Sequence, residues 1–168
     1  LLKETIEKEL KGRVVKTGDD SRLMLVGSEN DDIKFLDMVE SFKAVIAVDD
    51  HCTGSRYFWN NVEMENGAIA SIARRYLARP VCPQRDYPER KRLPHLLSLA
   101  KDWDAAGIIF LQQKFCDPHE LDRVAILDFF KKQGLPTLYL ELDVTVPLGQ
   151  FRIRVEALLE QLREEEIW

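Results

Sequence analysis

Gly107-Ile108-Ile109-Phe110-Leu111-Gln112-Gln113-Lys114-Phe115-Cys116-Asp117-Pro118-His119 decides the fold. A Gly followed by Ile, Ile, Phe and Leu reads as a strand buried on both faces, the pattern of a parallel sheet. Asp117-Pro118 reads as the start of a helix, because Pro is pre-set for the first helical turn and an acid suits its positive end. Cys116 is therefore expected in a strand-to-helix turn at the carboxyl edge of a sheet, where open α/β sheets bind ligands. A helix start beside a thiol favours the thiolate, a form that serves as nucleophile, redox group or metal ligand. A small buried core thiol is the plainer reading.

Outward from this stretch, strand and helix patterns alternate. Strands are expected at 22–27, 43–48, 107–111 and 136–142. Leu2, Ile6, Glu9 and Leu10 suggest a first helix ended by Gly12. Ser28 is expected to cap a helix carrying Ile33, Leu36, Met38 and Val39. Gly67 to Leu77 carries a helical apolar stripe at positions 69, 72, 73, 76 and 77. Further helices are expected at 96–103, 119–133 (closed by Gly134) and 151–168. The proline-rich, basic stretch from Pro80 to Pro94 reads as an excursion over the surface. Alternating strands and helices imply right-handed crossovers and a parallel sheet. The expected class is α/β: a flavodoxin-like three-layer domain with a parallel four-stranded sheet, one domain over 1–168.

With 168 residues, 45% hydrophobic and 32% charged, the chain has the composition of a globular protein with a real core. A net charge of −5 argues against binding to a nucleic-acid backbone. No apolar stretch approaches the length that spans a bilayer, and no secretory signal is visible. Three cysteines, an odd number, disfavour a disulfide framework and suggest a reducing cytoplasm. The chain opens without Met and in mid-helix pattern, so a carboxyl-terminal fragment of a longer subunit is expected.

Strands of a parallel sheet all end on one edge, so the residues that follow them converge. These are Ser28, Glu29 and Asn30; Asp49 to Tyr57, with His51, Cys52 and Arg56; Gln112 to Cys116, then His119; and Glu141 and Asp143. Several chemistries lack their signatures. No G-x-G-x-x-G or P-loop is present, no C-x-x-C, and Cys52, Cys82 and Cys116 lack the paired spacing of a zinc site. The doublet Asp49-Asp50 follows the wrong strand for a receiver-domain metal pocket. A Cys–His hydrolase pairing Cys52 or Cys116 with His51 or His119 has nothing in the sequence to orient the imidazole. Three thiols in soft-ligand positions suit an iron–sulfur cluster best.

Five segments in order carry a resemblance: Val48-Asp49-Asp50-His51-Cys52-Thr53-Gly54-Ser55-Arg56-Tyr57; Arg75-Tyr76-Leu77 with Pro80-Val81-Cys82-Pro83; Lys114-Phe115-Cys116-Asp117-Pro118-His119; Gly134-Leu135-Pro136 with Leu140-Glu141-Leu142-Asp143; and Gly149 to Ala157. Together they resemble the carboxyl-terminal portion of the 2-hydroxyacyl-CoA dehydratase and benzoyl-CoA reductase family, from Leu23 to Leu162. The resemblance implies a cytoplasmic, oxygen-sensitive enzyme component of anaerobic metabolism. It implies a 4Fe–4S cluster with Cys116 as the leading ligand and Cys82 and Cys52 beside it. It also implies a homologous partner subunit in a heterodimer, an ATP-hydrolysing activator as electron donor, and an acyl-CoA substrate. Dehydratases of the family use one low-potential electron to form a ketyl radical on the thioester, whereas the reductases dearomatise a benzoyl ring. Family subunits are more than twice this length, with further cluster cysteines in an amino-terminal domain. Their terminal motif reads Gln-x-x-Thr-Arg, where this chain has Ile153 in place of Thr. Arg85, Arg90, Lys91 and Arg92 are candidates to meet CoA phosphates. The alternative is a non-catalytic flavodoxin-like interaction domain without a cluster.

Overall fold

The computed structural model describes residues 2–11, 18, 20–64, 67–143 and 146–165. Four strands, β1 (Ser21–Gly27), β2 (Ala44–Asp50), β3 (Gly107–Gln113) and β4 (Thr137–Leu142), form one sheet in the order β2-β1-β3-β4. All three pairings are parallel. The helices are α1 (Leu2–Leu10), α2 (Ile33–Glu40), α3 (Ser55–Phe58), α4 (Ala68–Ala78), α5 (Arg92–Asp102), α6 (Asp117–Lys132) and α7 (Leu148–Glu165), with a 3₁₀ turn at Pro83–Arg85. This is the expected flavodoxin-like α/β class. Gly12, expected to close the first helix, and residues 166–168, expected in the last, lie outside the described residues.

Because successive strand side chains point to opposite faces, each buried strand feeds two cores. Leu23, Leu25, Ile109, Leu111, Leu140 and Leu142 meet Phe35 and Val39 of α2 and Phe151, Val155 and Leu159 of α7. Met24, Val26, Ile108 and Phe110 meet Leu96 and Leu99 of α5 and Ile126 and Phe130 of α6. Each such side chain contributes about 1.5–3 kcal/mol by leaving water. No helix among the described residues is long and apolar enough to cross a membrane.

The carboxyl ends of β1 and β3 approach unusually closely. A Cβ on Gly27 would lie 1.7 Å from the Leu111 carbonyl oxygen, and Gly27 has φ of 141°. Only glycine fits there. Ser28 follows the same track: its N–H donates to Leu111 O at 3.0 Å and its Oγ accepts from Gln113 N at 2.5 Å. Ser28 is thus spent on holding β1 to β3 and does not cap α2. Asp32 does, its carboxylate accepting from Phe35 N at 3.1 Å.

One further expectation is corrected. The stretch from Pro80 to Pro94 is no simple surface excursion, since Pro83, Asp86 and Arg92 are buried. The Asp86 carboxylate accepts from Arg92 N at 3.1 and 3.2 Å and so pins the loop to the first turn of α5. The apolar stripe at 69–77 forms the expected helix, α4, and faces outward. Ile69 is 86% and Leu77 71% exposed, and Ser71 is the buried residue of this helix.

Candidate functional site

The turn after β2 is built around one carboxylate. Asp49 Oδ1 accepts from His51 N at 3.1 Å and Ser55 N at 2.9 Å, and its Oδ2 accepts from Ser55 Oγ at 2.8 Å. A Cβ on Gly54 would lie 1.9 Å from Asp49 Oδ1, so the clamp requires glycine at that point. The turn holds Cys52 at the mouth of the carboxyl edge and starts α3, which aims Arg56 inward.

Arg56 belongs to a buried chain of charges. Arg92, its side chain wholly buried, donates through Nε at 3.1 Å and Nη2 at 2.5 Å to Asp50, and through Nη1 at 3.0 Å to Asp122. Arg90 also pairs with Asp122. Asp50, 0% exposed, lies 3.5 Å from Arg56 Nε. The alternation of sign lets charged groups sit in a dry interior, where a lone charge would cost several kcal/mol (about 3–5 on removal of a partner). The sequence offers no signal for this network, because its members come from β2, α3, α5 and α6 and meet only in the fold. Arg92 is therefore unavailable to a CoA phosphate, and Arg90 and Lys91 are paired with Asp122 and Glu89. Arg85 alone of that basic group lines the cysteine cleft.

The structure gathers all three cysteines at the carboxyl edge. All are free thiols. Cys52 and Cys82 line one cleft of about 320 Å³ with Arg56, Tyr76, Leu77, Arg79, Pro80 and Arg85. Cys82 immediately precedes the 3₁₀ turn. Cys116 is half-buried at the amino end of α6, its carbonyl accepting from His119 N at 3.1 Å and Glu120 N at 3.0 Å. Burial pushes the Cys52 thiol above its ordinary range. The Arg56 charge opposes this, and the nearby thiols of Cys82 and Cys116 add to it. Among the described residues no three His, Cys, Asp or Glu side chains form a cage for a single metal ion.

The two histidines of this edge divide. His119, buried at the start of α6, lies with Nε2 3.3 Å from Arg56 Nη2 and 3.8 Å from Cys52 Sγ. Since guanidinium only donates, Nε2 accepts and the ring is neutral with its hydrogen on Nδ1. Burial, then the charges of Arg92 and Arg56, hold its pKa down to about 2. A histidine so held is a poor general base, which removes the Cys–His hydrolase reading for this pair. His51 lines a separate cleft with Asn30, Ile33, Asp37 and Asp49. Its pKa falls to about 4, chiefly through burial and in spite of Asp49 and Asp50. Lys114, two residues before Cys116, is engaged by Asp143 at 2.9 Å. A larger cleft of about 460 Å³ opens at the opposite edge, beside Gly134 to Thr137, and contains no cysteine.

Comparison with known proteins gives a consistent picture. A family model described as 2-hydroxyglutaryl-CoA dehydratase, D-component, matches residues 1–162. The chain is 29% identical over 155 residues to the (R)-phenyllactyl-CoA dehydratase beta subunit of Clostridium sporogenes, covering 92% of this chain and 41% of that protein. It is 27% identical over 164 residues to the lactoyl-CoA dehydratase subunit beta of Anaerotignum propionicum (96% and 44%). To the (R)-2-hydroxyglutaryl-CoA dehydratase subunit beta of Acidaminococcus fermentans the identity is 24% over 164 residues (95% and 43%). The chain spans less than half the length of each of these relatives.

Proposed function

The chain belongs to the 2-hydroxyglutaryl-CoA dehydratase, D-component, family, and on that premise we propose that it is a component of a 2-hydroxyacyl-CoA dehydratase in which Cys116, Cys82 and Cys52 are thiolate ligands of a 4Fe–4S cluster. Dehydration is preferred to benzoyl-CoA reduction because the similar proteins named above are all dehydratase subunits. The observation that carries the cluster is the convergence of three unpaired thiols: Cys52 shares a cleft with Cys82 and lies 3.8 Å from His119, in the first turn of the helix that Cys116 precedes, beside the Arg56 donor. Soft thiolates from loops at a half-enclosed edge are the donor set of an iron–sulfur centre. When bound, such a cluster supplies single electrons at low potential.

This chain's own residues would do the rest. The Asp49 clamp and the start of α6 hold Cys52 and Cys116 to the sheet edge, and the 3₁₀ turn holds Cys82. Tyr76 and Leu77 give the cleft apolar surface beside the sulfurs, while Arg79 and Arg85 give it a basic rim. Further ligands, a homologous partner subunit, an ATP-hydrolysing activator and the acyl-CoA itself complete the reading.

The test is anaerobic preparation with the partner subunit, followed by iron, acid-labile sulfide and electron paramagnetic resonance measurements. Cys116→Ala is expected to lose cluster iron and turnover while circular dichroism stays unchanged, since a methyl group cannot replace a thiolate and one edge thiol buries little area. Full iron content in Cys116→Ala would overturn the ligand assignment. A folded wild type without iron would leave the second reading, a cluster-free interaction domain, for which the exposed apolar face of α4 is the supporting observation.

A further inference from the structure

We propose that Arg56 is the positioning residue of the thiol site: its Nη2 fixes the Cys52 sulfur as a hydrogen-bond acceptor, and its charge sets how readily the centre held by that sulfur takes an electron. The second half rests on the cluster reading above; the first does not. Arg56 is 4% exposed, yet Nη2 reaches the cleft, its two hydrogens directed to Cys52 Sγ at 3.2 Å and Gly27 O at 2.9 Å, with the His119 Nε2 lone pair beside it at 3.3 Å. An arginine serving only the core would be satisfied by Asp50 and a carbonyl. This one spends a nitrogen on sulfur.

The guanidinium cannot swing away from that task. Asp50 sits behind Nε at 3.5 Å and is itself gripped by Arg92. Asp49 clamps the turn at His51 and Ser55, the residues that precede Cys52 and Arg56, so the backbone from which both side chains extend is held. His119 blocks the remaining side as a neutral acceptor, adding no competing positive charge. A hydrogen bond and a fixed positive charge at a ligand sulfur stabilise the electron-rich state, so they raise the reduction potential.

The experiment compares Arg56→Gln and Arg56→Lys with wild type in two measurements. In the iron-free chain, alkylation of each cysteine by iodoacetamide at one pH is followed by peptide mass spectrometry. Arg56→Gln should slow Cys52 about threefold relative to Cys116, because the reacting sulfur loses the donor that holds it at 3.2 Å. In the iron-loaded complex, Arg56→Gln should lower the reduced-to-oxidised ratio at fixed potential about tenfold, which is about 59 mV for one electron. Arg56→Lys keeps the charge without the fork, since an ammonium cannot serve Asp50 and the sulfur together. It should shift both readouts the same way by less, and it carries the test if Arg56→Gln unfolds, recognised by Cys116 reacting at its urea-denatured rate. Folded variants that lose stability but keep the wild-type Cys52 rate and redox ratio would overturn the proposal and leave Arg56 a structural residue. Absence of iron from the wild type would sink the cluster reading alone, because the alkylation measurement decides the Cys52 contact without it.

Discussion

Asp50 is the residue on which the buried charges depend. It stands between Arg92 and Arg56, both nearly inaccessible to water. Removing it leaves two guanidinium groups in a dry interior, Arg92 with Asp122 and Arg56 with neutral acceptors alone. Asp50→Ala is therefore expected to cost about 3–5 kcal/mol, read as a lowered urea midpoint at unchanged slope. An Asp50→Ala chain as stable as wild type would show that water reaches the network. At this scale Cys116 could be read from its neighbours, because a Gly-led apolar run ahead of it and Asp-Pro behind it are local signals. Arg56 was legible only as a basic residue near the edge. Its contact with Cys52 depends on Gly27, Asp50 and His119, which are 29, 6 and 63 positions away.

Among the elements, α4 shows where periodicity stops informing. The stripe at 69, 72, 73, 76 and 77 specifies a helix, since residues three and four apart share a face. Nothing in that spacing says what the face meets. Here Ile69, Ile72, Tyr76 and Leu77 remain exposed, whereas an equally ordinary pattern in α6 buries Ile126 and Phe130. Ile69→Asp, at a position 86% exposed, should accordingly change folding stability by no more than about 0.5 kcal/mol in urea unfolding. A loss of several kcal/mol would mean that this face is covered in the folded chain. The Ser28 cap failed for a related reason: a good capping residue lay at the right distance, but the close approach of β1 to β3 claimed it first.

For the whole molecule, the buried histidines make stability depend on pH. His51 and His119 have folded pKa values of about 4 and about 2, below the ordinary value of 6.5, and both titrate freely once unfolded. Below pH 6.5 the unfolded chain therefore binds protons that the folded chain refuses, and acid favours unfolding. The contribution is fully present above pH 6.5. It is lost as pH falls towards 4, by up to about 1.4 kcal/mol per unit for each histidine. Urea midpoints of the iron-free chain should drop between pH 7 and pH 5, and the slope should shrink in His51→Gln. A flat profile over that range would mean that both imidazoles protonate in place.

The amino-acid sequence by itself determined the sheet, its four strands and their shared direction, because strand faces, helix stripes and turn residues are short-range patterns read within a dozen positions. It also placed Cys52 and Cys116 on one edge, since a parallel sheet ends every strand on the same side. Only the tertiary structure brought Cys82 to that edge, buried Arg92 among Asp50 and Asp122, and turned Arg56 onto a sulfur. The physical reason is range. A charge is driven into the interior only if its partner is already there, and these partners arrive from β2, α3, α5 and α6 through packing that no local pattern encodes.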